Sequence, residues 1–152
     1  MAAAKLLVVY HSQSGRNARL AYAAAAAARE EGGEVCLARA AEVGCRDLLW
    51  CDALLLFTPE NFGALPGELK DFLDRSFYPA NTQQLLRPYG VFVCTGNDGS
   101  GALRELQRIA KGLVLKMVAE PIICKGAPGD DDFDAAKELA AAMVVAVDMG
   151  VY

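Results

Sequence analysis

Apolar and polar positions fall into blocks that alternate between a strand-like and a helix-like pattern. Residues 5–10 carry a short continuous apolar run, Leu6-Leu7-Val8-Val9-Tyr10, which predicts a strand buried on both faces. Residues 14–31 follow with an alanine block that favours helix, and Gly32-Gly33 ends it. Residues 34–40 read as a second strand, 46–50 as a short helix, and 52–58 (Asp-Ala-Leu-Leu-Leu-Phe-Thr) as a third strand. Residues 59–65 read as a loop. Pro66 stands where a first helical turn tolerates proline, so 67–75 is expected to be helical. A second loop is expected over 76–88, holding Tyr78, Pro79 and Asn81. Residues 89–95 read as the fourth strand and 96–101 as a glycine-rich loop. Helix is expected over 102–115, with Leu103, Leu106, Ile109, Ala110, Leu113 and Val114 on its inner face. The fifth strand, 117–124, is interrupted by Pro121, which suits an edge or a bulge. Asp130, Asp131 and Asp132 cap and favourably charge a last helix over 133–149.

Five apolar strands separated by helices imply an α/β fold whose parallel sheet is covered on both faces. The expected strand order is 2-1-3-4-5. No linker, repeat or composition break divides the chain, so residues 1–152 are expected to form a single domain. In such sheets ligands bind beyond the carboxyl ends of the strands, near the point where the strand order reverses. That rule directs attention to the loops after the first, third and fourth strands.

The first of these loops is His11-Ser12-Gln13-Ser14-Gly15-Arg16-Asn17. It brings hydroxyls, amides, a glycine and an arginine to a helix start, where open backbone N–H groups and the positive dipole end suit an anion. This is a phosphate cradle. It is neither a GxxxxGK[ST] loop nor a GxGxxG fingerprint, so triphosphate hydrolysis is unsupported. The plainer alternative is a Ser/Asn cap on the helix. The second loop, Thr58-Pro59-Glu60-Asn61-Phe62-Gly63-Ala64-Leu65-Pro66-Gly67, offers backbone groups to the edge of a flat heterocycle and Phe62 to its face. Its alternative is an ordinary turn. The third, Cys94-Thr95-Gly96-Asn97-Asp98-Gly99-Ser100-Gly101, is a tight backbone surface beside the same crevice, or a turn alone.

Charge and cysteine usage narrow the function. The net charge of −4 argues against a general nucleic-acid binder, which needs a basic face, yet leaves room for one local basic loop. The run 6–10 is too short for a signal-peptide core or a membrane span, and 139–147 is short and alanine-rich, so a cytoplasmic location is expected. Cys36, Cys45, Cys51, Cys94 and Cys124 show no CxxC or Cys/His pairing, which suggests reduced, mostly buried thiols and no metal site. His11 is the lone histidine. It stands at the loop mouth either as a phosphate partner or as a helix-entry residue. Cys94 reads as a buried inert thiol, Trp50 as packing, and the three aspartates as a helix start rather than a metal site. Tyr78 is a candidate to border the pocket or a partner subunit.

Taken together, the three loops resemble those of the flavodoxin superfamily, in the branch that includes NAD(P)H-dependent FMN reductases and quinone reductases. The resemblance spans essentially the whole chain. It implies a flavodoxin-like three-layer α/β/α sandwich with a five-stranded parallel sheet. It implies that Ser12, Gln13, Ser14, Gly15, Arg16 and Asn17 hold the phosphate of FMN. Pro59, Glu60, Asn61, Phe62 and Gly63 would line the isoalloxazine, and Thr95, Gly96, Asn97, Asp98 and Gly99 its other side. The third loop lacks the aromatic that electron-carrier flavodoxins stack on the ring, and the chain is less acidic than those carriers. Both departures suit an open flavin face reached by a donor or a quinone. The expectation is therefore an FMN-dependent oxidoreductase with NAD(P)H as candidate donor, a quinone-like or protein acceptor, and homo-oligomers as in family reductases. No side chain need serve as a nucleophile or general base, because the cofactor carries the chemistry. The alternatives are a non-enzymatic electron carrier and a flavin-free binding module. Receiver domains share this strand order, but they need an acidic pair after the first strand and a phosphate-accepting Asp ending the third. Here those places hold His11-Ser12 and Phe57-Thr58.

Overall fold

A computed structural model describes residues 2–83, 86–113 and 115–152. The described strands are β1 (Lys5–Tyr10), β2 (Glu34–Arg39), β3 (Ala53–Thr58), β4 (Arg87–Thr95), β5 (Leu115–Met117) and β6 (Ile122–Lys125). The helices are α1 (Arg16–Glu30), α2 (Cys45–Trp50), α3 (Gly67–Thr82), α4 (Ser100–Leu113) and α5 (Asp130–Asp148). All strand pairs are parallel, in the order β2-β1-β3-β4-β5, with β6 also bonded to β4. The expected order and the flavodoxin-like three-layer arrangement are both present, with the fifth strand in two pieces.

The period-2 alternation of the central strands sorts their side chains into two layers. Leu7, Val9, Leu54, Leu56, Val91 and Val93 face one way, with Leu69, Phe72 and Leu73 of α3 and Leu106 and Ala110 of α4 packed over them. Leu6, Val8, Leu55, Phe57, Phe92 and Cys94 face the other way, beneath the alanines of α1 and Ala136, Ala140 and Met143 of α5. Phe57 and Phe92 stack in that second layer at 5.5 Å between centroids. Every residue of β3 is buried, as expected of a central strand covered on both faces.

Two expectations need correction. Of the loop expected over 76–88, residues 76–82 are helix, because α3 runs on through Tyr78, Pro79 and Asn81 to Thr82, while 84–85 lie outside the described residues. Proline lacks the N–H that would pair with the carbonyl four residues earlier, that of Arg75, so the helix continues past it at the cost of one bond. Buried Ser76 and Ala80 carry the helix along the core, and the Ser76 hydroxyl donates back to the Phe72 carbonyl at 2.8 Å. The single strand expected over 117–124 is split into β5 and β6, which meet β4 at Arg87–Tyr89 and Phe92–Thr95 respectively. Pro121, which has no N–H for the ladder, lies in the break. The inner face of α4 buries Ala102, Leu106, Ala110 and Leu113, while Val114 lies outside the described residues. The three aspartates do open α5, and Asp132 accepts the Gly129 N–H at 2.8 Å. No helix among the described residues is long and apolar enough to cross a membrane.

Candidate functional site

The loops after β1, β3 and β4 meet beyond the carboxyl ends of the strands, as the reversal of strand order between β1 and β3 dictates. They surround a crevice of about 190 Å³. The first loop contributes Gln13, Ser14, Arg16 and Asn17, the second Pro59, Glu60 and Asn61, and the third Thr95 and Gly96, with Cys94 at the end of β4. A larger cavity of about 490 Å³ lies at the opposite end of the strands, among Asp52, Arg87, Lys116 and Val147, away from these loops.

In the first loop Ser12 turns its hydroxyl inward and accepts the Gly15 N–H at 3.0 Å, so it shapes the turn. Gly15 takes a left-handed conformation (φ 92°) as the residue that starts α1, and no side chain caps that helix. The glycine is needed for its φ rather than for space, since an added Cβ would meet nothing within 4 Å. Asn17 is 3% exposed. Its amide donates to the Cys94 carbonyl at 3.1 Å, while its Oδ1 is buried without a partner. His11 lies outside the crevice lining and pairs its Nδ1 with Glu68 Oε2 at 3.0 Å.

The second loop is a tight hairpin. Asn61 and Ala64 exchange N–H···O bonds of 3.0 Å, with Phe62 (φ 52°) and Gly63 (φ 71°) at the bend. Both central residues take positive φ, as in a type I′ turn, and this is an uncommon conformation for phenylalanine. The bend leaves Phe62 fully exposed at the rim rather than in the crevice. Asn61 ties this loop to the first by donating to Gln13 Oε1 at 2.8 Å.

Glu60 is buried and ties the second loop to the third. Its Oε2 accepts the N–H groups of Gly101 (2.8 Å) and Ala102 (3.0 Å), so a carboxylate already fills the amino terminus of α4. Gly101 makes that close approach possible, because an added Cβ would run into the Gly63 carbonyl. In the third loop the Asn97 N–H meets Thr95 Oγ1 at 3.2 Å. Asp98 accepts both the N–H and the hydroxyl of Ser100, which hold its carboxyl below the usual carboxylate range. Gly63, Asn97, Asp98 and Gly99 shape the loops without lining the crevice. Tyr78 is exposed on α3 and likewise outside it. Trp50 packs against the core, as expected.

The structure assigns Glu60 a bracing role that the sequence pattern did not reveal, since its partners lie about forty residues away. Glu60→Ala is expected to strand two N–H groups, the buried one of Ala102 and the part-buried one of Gly101, at a cost of about 1–3 kcal/mol for each that water does not reach. Glu60→Gln keeps an acceptor and loses only the charge at the helix end, about 0.3–1 kcal/mol. Urea denaturation checks the ranking; equal stability of wild type and Glu60→Ala would show that the brace is idle.

The second and third loops fall within the stretch, residues 40–123, that matches the family model NADPH-dependent FMN reductase. That stretch is more than half of the chain. The chain belongs to this family. The first loop precedes the matched stretch. Among curated proteins, a flavodoxin from Aquifex aeolicus (strain VF5) is 37% identical over 71 residues. Those residues are 46% of this chain and 38% of that protein, so the likeness spans well under half of the relative. Among solved structures, a flavodoxin from the domain Archaea superposes with a TM-score of 0.81 at 18% identity, covering 95% of this chain and 99% of that one. Rubredoxin oxygen:oxidoreductase from Desulfovibrio gigas gives 0.78 at 19% identity, covering 93% of this chain and 36% of that one. At these identities the likeness shows the flavodoxin-like fold shared by this FMN reductase family member.

Proposed function

We propose that the crevice binds FMN by its phosphate and that the chain is an FMN-dependent oxidoreductase. It would pass electrons or hydride from a reduced donor, with NAD(P)H the candidate, to a quinone-like or protein acceptor. One observation carries the reading: α1 opens on the crevice at left-handed Gly15 with no side-chain cap, and the buried Asn17 Oδ1 beside it lacks a donor. An uncapped helix start accepts an anion through its N–H groups and dipole. An orphaned acceptor asks for a hydroxyl or N–H on the ligand. FMN supplies both, a phosphate and a hydroxylated chain.

In this reading Ser14, Arg16 and Asn17 hold the phosphate end, with Ser12 and Gly15 fixing the loop. The crevice is smaller than a pocket that encloses a drug-sized ligand. The flat ring would therefore lie across its rim, between the second and third loops, with one face open. Gln13 and Asn61, bonded to each other, and Glu60, bonded to α4, keep those loops at fixed spacing. When bound, the flavin supplies hydride and electron-transfer chemistry. The chain's own residues bind, orient and limit access.

The family name supports both FMN and a nicotinamide donor. The flavodoxin relative favours a second reading, a carrier that exchanges single electrons with protein partners. Flavin-stripped protein is expected to quench FMN fluorescence saturably and riboflavin fluorescence hardly at all. Ser14→Ala combined with Asn17→Ala should weaken FMN binding by at least about tenfold, or 1.4 kcal/mol. Unchanged affinity in that double variant removes the phosphate assignment. Anaerobic turnover of NADH or NADPH with a quinone then separates the enzyme from the carrier.

A further inference from the structure

Two cysteines lie side by side in the buried layer beneath α1 and α5, one of them at the edge of the crevice. Cys94 in β4 and Cys124 in β6 are direct register partners on neighbouring parallel strands. Such strands lie about 4.8 Å apart, inside the Cα separation of about 4.4–6.8 Å that a disulfide bridges. Both side chains enter the same layer, beneath α1 and α5. Both thiols donate to one acceptor, the Gly126 carbonyl, at 3.4 and 3.8 Å. Cys36, Cys45 and Cys51 pack in the opposite layer, so the sheet stands between them and this pair.

The two thiols are not equivalent. Cys94 lines the crevice and Cys124 does not. Burial pushes both thiols up, Cys124 to about 12. On Cys94 the neighbouring Cys124 thiol and the charges of Arg16 and Arg19 act in the opposite sense, against a push up from Asp132, whereas on Cys124 both Cys94 and Asp132 push further up.

We propose that Cys94 and Cys124 form a redox-active dithiol that opens on the crevice, with Cys94 reacting first and Cys124 resolving. The co-reactant is a small disulfide, RSSR, and the chemistry needs the crevice but no flavin. The Cys94 sulfur attacks one sulfur of RSSR, forming a mixed disulfide and releasing one RSH, which carries away the Cys94 proton. The Cys124 sulfur then attacks the Cys94 sulfur and releases the second RSH with the Cys124 proton. In sum, two thiols are oxidised to one disulfide and RSSR is reduced to two RSH. Burial keeps the thiolate fraction small, so the exchange runs slowly. The product ties β6 to the end of β4, whose Cys94 carbonyl receives Asn17.

The test exposes flavin-free protein to 2-hydroxyethyl disulfide, quenches with acid and maps the peptides by mass without reduction. The expected result is a Cys94–Cys124 cross-link lighter by two hydrogens and no lasting adduct. Cys124→Ala should trap the adduct on Cys94, and Cys94→Ala should leave Cys124 unmodified. A stable Cys94 adduct in the wild type without a cross-link overturns the proposal. So does a Cys94 that stays unreacted in the folded chain but reacts in denaturant. The wild-type outcome stands even where a variant fails to fold, and the FMN titration is unaffected by either result.

Discussion

Gly101→Ala should destabilise the protein by about 1–3 kcal/mol and weaken FMN binding at least about tenfold. Local propensity argues for the opposite sign, since alanine is better than glycine inside a helix by about 1 kcal/mol. Tertiary contact wins because the new Cβ would meet the Gly63 carbonyl, which is backbone, with Glu60 Oε2 3.2 Å away. Neither can retreat cheaply. Gly63 is held in the bend closed by Asn61 and Ala64, and the Glu60 carboxylate is held by two N–H groups. Relief would require the second loop to lift off α4, opening one side of the crevice. Gly112→Ala in the same helix is the control. Its added Cβ would meet nothing nearer than Phe77 at 4.0 Å, so it should be neutral or stabilising. Thermal melts and FMN titrations of the two variants measure the difference. A Gly101→Ala protein that melts above wild type would mean that the seat of α4 on the second loop is not tight.

Local rules carried the sheet because strands buried on both faces leave a continuous apolar run, as in Leu54–Phe57, whatever surrounds them. They also located the crevice, since the reversal of strand order fixes where loops converge. They failed where a distant partner outweighed a local breaker. Pro79 reads as a helix stop, yet burial of Ser76 and Ala80 holds α3 together to Thr82. Glu60 reads as a polar loop residue, and only folding brings Gly101 and Ala102 to its carboxylate. Cys94 and Cys124 are thirty residues apart, and no spacing rule joins them; parallel register does. The exposure of Phe62 at the rim likewise follows from the bend at Asn61–Ala64 and not from its aromatic character. The common element in these failures is that each depends on how two loops or strands meet, which composition and periodicity do not encode.

Asn17→Asp is expected to have the largest effect on ligand binding of any single substitution. The change keeps the size and shape of a residue that is 3% exposed, yet reverses its electrostatics twice. The amide that donates to the Cys94 carbonyl becomes an acceptor, and a negative charge enters the cradle proposed for the phosphate. Like charges sharing a partly buried site repel by about 3 kcal/mol at an effective dielectric of about 20. That corresponds to more than about a hundredfold in FMN affinity. Asn17→Ala separates the two components. It also leaves the Cys94 carbonyl without its donor, costing about 1–3 kcal/mol of stability, but adds no charge. Its FMN affinity should fall less, and the fall should be insensitive to salt. The additional loss in Asn17→Asp should shrink as ionic strength rises, because screening weakens charge repulsion and does not restore a missing hydrogen bond. Riboflavin has no phosphate, so whatever weak affinity it shows should distinguish the two variants poorly. If both variants lose FMN equally at every salt concentration, the buried amide braces the loop and the anion is held elsewhere.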